Sequence, residues 1–427
     1  MKRRSLQLSL REKPQAVDYD CSQQLVALST SSSLSVYRIS STLHDTYSDS
    51  AGCPSHVIYY EDSHSTRGTK LQKNSSSSNL VASLKDVGCV SIYDVNSKSM
   101  KSLVDYIPPS QSIADLNWSQ HSTTLLATCS STGTRGLVNL WDVRTAVQPV
   151  LQVAIGSDSA SMVDWWPTDP NIISACRNND NLLFLDIRMS ASQSTALQGV
   201  RRTKAVHSIM SHGGRICSYA WHRSSSSSEL SSIIIAAEKG VLQSDVVSYD
   251  ESTSRLQSKS SSSVRSKFIG NRSKVLADPA GKMLLLVDLF GGTSGTRSSI
   301  YAASCQEAFS ARCRDAANGC TDGAVDRTEE EVFCEIASSD ISLVDALWVP
   351  AVDGHSSDCS SHLMVLTSDA LLQIIPIASN DASQDVAMND IKSRLDVSGQ
   401  TARSSLKHPT RSQKYRYACC IELCVCP

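Results

Sequence analysis

The sequence predicts an all-β chain folded as a seven-bladed propeller, a ring of small sheets around an axis. Three observations predict it. A phrase of strand, tight turn and strand recurs along the 427 residues. A strand ending in Trp precedes several of its copies. Most neighbouring copies stand roughly 45 to 55 residues apart, the period of a unit holding several short strands. One such sheet is apolar on both faces and cannot bury both alone, so units pack side by side until the ring closes.

The copies follow in order. "LVALSTSSSLSVYRI" centres on Ala27 and "LVASLKDVGCVSIYDV" on Ala82. "LLATCSSTGTRGLVNLWDVR" centres on Ala127, with "TGTRG" supplying the turn, and "IISACRNNDNLLFLDIR" on Ala175. The fifth, "IIIAAEKGVLQSDVV" around Ala236, has the turn but no terminal aromatic. The sixth, around Leu285, carries the long turn "GGTSGT"; the need to fill the gap supports both. "LMVLTSDALLQIIPI" around Val365 completes seven. The Trp-bearing strands are "IADLNW" (Trp118), "SMVDWW" (Trp165, Trp166), "ICSYAW" (Trp221) and "LVDALW" (Trp348). At the start, "SLQLSL" (Ser5 to Leu10) alternates like a strand. It is expected to add to the edge of the last blade near Leu371 to Ile377 and lock the ring.

This places the propeller at 1–377 and an aberrant or disordered tail at 378–427. The polar tracts Ser75 to Ser78, Ser224 to Ser228 and Ser260 to Ser263 read as mobile surface loops, since they bring no apolar surface to bury. Gln306 to Arg327 reads as irregular.

Composition narrows function. The chain is 41% hydrophobic and 19% charged, with 40 basic against 42 acidic residues. That is a globular composition without the positive field that phosphate binding needs, so nucleic acid is not the expected ligand. The basic start "MKRRSLQLSLREKP" lacks a signal-peptide core, and no run of eighteen apolar residues exists. The expectation is a cytoplasmic chain with no membrane insertion. Cys21, Cys89, Cys129, Cys176 and Cys217 lie in or beside strand-like runs and read as small buried hydrophobes.

Catalytic and metal patterns are weak. "GGTSGT" at Gly291 lacks the Lys of a phosphate loop and is not a nucleophile elbow. His207, His212 and His222 have no Cys or carboxylate at ligand spacing. Cys419, Cys420, Cys424 and Cys426 offer four thiolates, but too compactly for split-pair zinc binding. "EEE" at Glu329 and "RRTK" at Arg201 read as a solvated acidic run and a loop. No enzyme activity, cofactor or metal is expected. Trp141-Asp142-Val143-Arg144, with a second copy at Asp186-Ile187-Arg188, is the candidate partner-docking phrase. Its bland reading is structural: Trp141 packs between blades, and Asp142 and Arg144 border the next link.

"LVNLWDVR" and "DLNW…LLATCS" resemble WD repeats. The wider order, best from Ile113 to Trp221, is similar to the GATOR/SEA subunit that carries a WD propeller, an RWD module and a RING-like zinc domain. The layout "HSIMSHGGRICSYAWHR" and the long first link after "LVDALWVP" follow that subunit. Here the Trp-Asp pair stands once, becoming Tyr93-Asp94 and Leu185-Asp186 elsewhere, and neither the RWD module nor the zinc domain is visible. A truncated or misassembled gene product is therefore among the expectations. The resemblance implies a non-catalytic scaffold whose partners are other propeller and solenoid subunits. It would relay amino-acid sufficiency to target-of-rapamycin signalling from the cytoplasm or the lysosomal or vacuolar surface. WD repeats often place a His ahead of the inner strand to bond within the blade, a role that falls to His212. The Trp-Asp-x-Arg phrase implies an alternative, a substrate receptor of a cullin–RING ubiquitin ligase.

Overall fold

In the computed structural model, twenty-nine strands and their adjoining turns and links are the described residues, all between Leu6 and Pro376. The chain opens with β1 (Leu6–Ser9) and then lays down β2 (Pro14–Asp20), β3 (Leu25–Thr30), β4 (Ser33–Arg38) and β5 (Ser55–Glu61), which form blade 1. Blade 2 is β6 (Gly68–Lys73), β7 (Leu80–Lys85), β8 (Val90–Asp94) and β9 (Val104–Tyr106). Blade 3 is β10 (Ser112–Trp118), β11 (Leu125–Thr132), β12 (Arg135–Asp142) and β13 (Leu151–Gly156).

Blade 4 contains β14 (Ala160–Trp165), β15 (Ile172–Arg177) and β16 (Asn181–Asp186). The chain then detours to place β17 (Arg201–Arg202) on the edge of blade 3 and returns to finish blade 4 with β18 (His207–Met210). Blade 5 is β19 (Ile216–Arg223), β20 (Ser231–Ala237), β21 (Val241–Asp250) and β22 (Arg255–Arg265). Blade 6 is β23 (Ser273–Ala277), β24 (Met283–Asp288), β25 (Ser298–Ser304) and β26 (Cys334–Ser339). Blade 7 is β27 (Leu343–Val349), β28 (His362–Thr367) and β29 (Leu371–Pro376), completed by β1.

The closure expected from "SLQLSL" is present. β1 runs antiparallel to β29, pairing Leu6 with Ile374 and Ser9 with Leu371. The seven expected centres, Ala27, Ala82, Ala127, Ala175, Ala236, Leu285 and Val365, each fall on the second strand of a blade and are fully buried.

Side chains alternate between the two seams that flank each blade, because successive residues of a strand point to opposite faces. In blade 3, Leu126 and Trp141 face blade 2, whereas Ala127, Cys129, Val138 and Leu140 face blade 4. The same division gives one apolar cluster per seam all the way round. Val17 and Leu28 of blade 1 pack with Met364 and Leu366 of blade 7, which closes the circle.

Several sequence expectations change. Ser260 to Ser263 is not a loop; it lies in β22, laddered antiparallel along β21 from Arg265–Val241 to Arg255–Asp250. Serine is poor at filling a core, but an outermost strand needs only backbone partners on its inner side. Arg201 and Arg202 form a strand rather than a loop. Cys89, Cys129 and Cys176 are buried as expected, while Cys217 is only partly so. Cys21, Ser75 to Ser78, Ser224 to Ser228, the turn at Gly291, Gln306 to Arg327, Glu329 to Glu331, the tail 378–427 and its four cysteines lie outside the described residues.

Candidate functional site

The phrase Trp141-Asp142-Val143-Arg144 ends β12, and Asp186-Ile187-Arg188 ends β16. Both are third strands of adjacent blades, so both phrases emerge on the same rim of the ring. Trp141 is 2% exposed and belongs to the seam with blade 2. Its ring stacks on Tyr106 with centroids 4.2 Å apart, and its Nε1 donates to Thr128 Oγ1 at 2.9 Å. Such stacking adds to burial in holding two blades together.

Beyond each strand the chain repeats one device. Asp142 accepts the backbone N–H of Arg144 at 3.0 Å, and the Arg144 guanidinium closes on the same carboxylate with Nε at 3.0 Å and Nη2 at 2.6 Å. Asp186 and Arg188 reproduce it, at 2.9, 3.0 and 2.7 Å. An Asp two residues before the Arg favours this turn because its side chain can accept from the backbone just ahead. In blade 2, Asp94 accepts the N–H of Asn96 in the same position at 2.9 Å. The Arg144 guanidinium holds the Asp142 carboxyl below its ordinary value, and Asp142 in turn raises that of Arg144.

The carboxylates are covered and the guanidiniums are not. The Asp142 and Asp186 side chains are 8% and 3% exposed, against 72% for Arg144 and 50% for Arg188. The arginines are therefore the exposed part of each device, and the aspartates hold them from behind. Asp169, which sequence reasoning missed, lies 3.8 Å from Arg188 in the first turn of blade 4. His121 in the equivalent turn of blade 3 bonds the carbonyl of Trp166 at 3.3 Å, tying the two blades together on the same rim.

A second set of polar residues faces the axis. The inner strand of each blade has one unpaired edge, whose N–H groups need acceptors. Asp115 accepts Val163 N–H of the next blade at 3.0 Å, Ser218 accepts Val275 N–H at 2.8 Å, and Asp345 accepts Val17 N–H at 3.4 Å. In all three the acceptor stands three residues before a Trp and directly after a bulge in its strand. A bulge re-aims a side chain, here across the seam. The recurrence of Asp, Ser and Asp at that position was the available signal. Lys274 adds an ion pair to Asp345 at 2.6 Å.

The histidines are dispersed in role. His212 has an exposed ring, and its backbone N–H, not the ring, meets Gln243 Oε1 at 3.0 Å, so the expected imidazole bond within the blade is replaced by a main-chain one. His207 sits in the seam between blades 4 and 5, its ring 5.7 Å from Phe184. Among the described residues, no three His, Cys, Asp or Glu come together as a metal site. Burial pushes the Cys176 and Cys217 thiols up to about 11, away from thiolate chemistry.

No protein-family model matches the chain. It is 28% identical over 114 residues to maintenance of telomere capping protein 5 of Saccharomyces cerevisiae, and 29% identical over 122 residues to protein transport protein SEC31 of Kluyveromyces lactis. These matches cover 26% and 27% of the chain, but only 9% and 10% of the relatives' own length. The β-propeller domain of Cps50 (Swd1) from Myceliophteria thermophila superposes with a TM-score of 0.55 at 10% identity. That superposition covers 86% of this chain and 97% of the other. The fold is a β-propeller.

Proposed function

We propose that residues 1–377 act as a non-catalytic scaffold, a propeller that presents its rim to other protein subunits. The observation that carries this reading is the division of polar groups. Asp115, Ser218 and Asp345 are used inside the ring to join blades. Arg144 and Arg188 are held outward on adjacent blades of one rim. Guanidiniums fixed in advance lose little rotamer freedom on contact, which suits recognition.

The finer reading is a subunit of the GATOR/SEA assembly, acting in amino-acid signalling to the target-of-rapamycin kinase at the lysosomal or vacuolar surface. Its support is the sequence order from Ile113 to Trp221. The test is affinity purification of the tagged chain, with and without Arg144→Glu plus Arg188→Glu. The wild type should return propeller and solenoid subunits of one assembly. The double variant, still folded by far-ultraviolet dichroism though less stable because Asp142 and Asp186 lose their partners, should lose them. Recovery of the same set by both proteins would overturn the role of this rim.

The exposure of Arg144 supports a second reading, capture of a cullin–RING adaptor by the Trp-Asp-x-Arg phrase. Arg144→Ala alone should then abolish adaptor recovery.

A further inference from the structure

Six blades manage their outermost strand in recognisable ways. An outer strand exposes a row of unpaired N–H and C=O groups, a template on which another chain can pair. Shortness or charge blunts that hazard. β1 and β18 have four residues each and β9 has three. The longer ones carry charge: Glu61 in β5, Arg255, Lys259 and Arg265 in β22, and Glu335 in β26.

Blade 3 is the exception. Its outer strand β13 reads LQVAIG, six residues with no charged side chain and four apolar ones. It is also the one outer strand, among the described residues, that carries a fifth strand. β17 pairs with it through Val153–Arg201 and Ala154–Arg202. That pairing is the one parallel ladder among the described strands, and it is contributed by the detour between β16 and β18 of the next blade. The unguarded edge and the extra strand coincide.

We propose that β17 is a strap that closes the edge of β13 against a second copy of this chain. Without it, two β13 strands would pair antiparallel about a twofold axis, since one edge is complementary to itself in that arrangement. Two parallel residues form a weak ladder, so the strap works by occupying the edge rather than by stabilising the blade. The inference is independent of which assembly the scaffold serves.

The test is sedimentation velocity of the full chain over a wide concentration range. Successive N–H groups of a strand point to opposite sides, so Arg201→Pro plus Arg202→Pro removes the one of this pair that faces β13 without touching blade 3. Arg201→Gly plus Arg202→Gly is the second variant, should proline disturb the link into β18. Near-native melting and far-ultraviolet dichroism confirm folding. The wild type should sediment as a monomer and the variants as a reversible dimer. Adding Ala154→Lys, at a half-buried position on β13, should return them to monomer by placing like charges across the twofold. Folded variants that stay monomeric, a dimer that Ala154→Lys leaves intact, or a wild type that already dimerises would each overturn the strap.

Discussion

The carboxylate of Asp115 crosses the seam between blades 3 and 4 to accept the backbone N–H of Val163 at 3.0 Å, and Asp115 is itself 8% exposed. Removing the acceptor leaves a buried donor with no partner, which costs about 1–3 kcal/mol. Asp115→Ala should lose stability in that range in urea denaturation. Asp115→Asn should lose less, because its amide oxygen can still accept. Equal losses for the two would show that the hydrogen bond is not what Asp115 supplies.

The ring is completed by four residue pairs between β1 and β29. Deleting residues 1–10 should lower stability by a few kcal/mol, taking each net hydrogen bond as worth about 1 kcal/mol. A synthetic peptide of residues 1–12 added in trans should restore part of the lost melting temperature. A truncated protein that melts like the intact one would contradict closure by this strand.

Acid should weaken the seam between blades 4 and 5. Burial lowers the pKa of His207 below its ordinary 6.5, and the nearby Asp245 carboxylate on β21, buried and bonded to Gln243, only partly offsets it. A lowered folded value means the neutral ring is the favoured form. Its contribution is therefore complete above about pH 6.5 and is lost as pH falls through the folded pKa. Urea midpoints between about pH 7.5 and 5.5, where histidine titrates, should fall for the wild type and stay flatter for His207→Phe. Parallel slopes would assign the acid sensitivity elsewhere.

Two neighbouring glycines should respond differently to alanine. A Cβ on Gly213 would lie 2.6 Å from Val241 Cβ and 2.7 Å from Ala237 Cβ, both at the turn of blade 5. Overpacking of this kind costs about 1–3 kcal/mol. Gly214 has φ +78° but meets nothing closer than Lys239 Cε at 3.5 Å, so only its left-handed backbone resists, for about 1 kcal/mol. Thermal melts should rank Gly213→Ala below Gly214→Ala.

The second and third strands of the blades were readable because they are buried on both faces and leave apolar runs, such as "IISAC" and "LLFLD" in blade 4. The first strand was readable only in blades 3, 4, 5 and 7, where it carries a Trp. Of the outer strands, only β1 was, through the alternation of "SLQLSL". β22 has five serines and three basic residues among its eleven, and β9 is three residues; neither has a pattern that distinguishes it from a loop. At the rim, Asp142 and Arg144 could be picked out, but not their closure on one another, since a spacing of two gives no reason for two side chains to meet in an extended strand. They meet because the strand has ended and the chain turns. The seam acceptors were hidden differently: Asp115 bonds a backbone group, and a backbone group leaves no letter in the sequence to match.

The pairing of Leu6 with Ile374 also sets a timetable. During synthesis at about 5–20 residues per second, the first strand leaves the ribosome roughly 20 to 70 seconds before its partner exists. For that interval the nascent chain carries an unclaimed first strand and a growing arc whose newest blade has one naked apolar face. Both surfaces are buried only once β29 has been made and paired with β1.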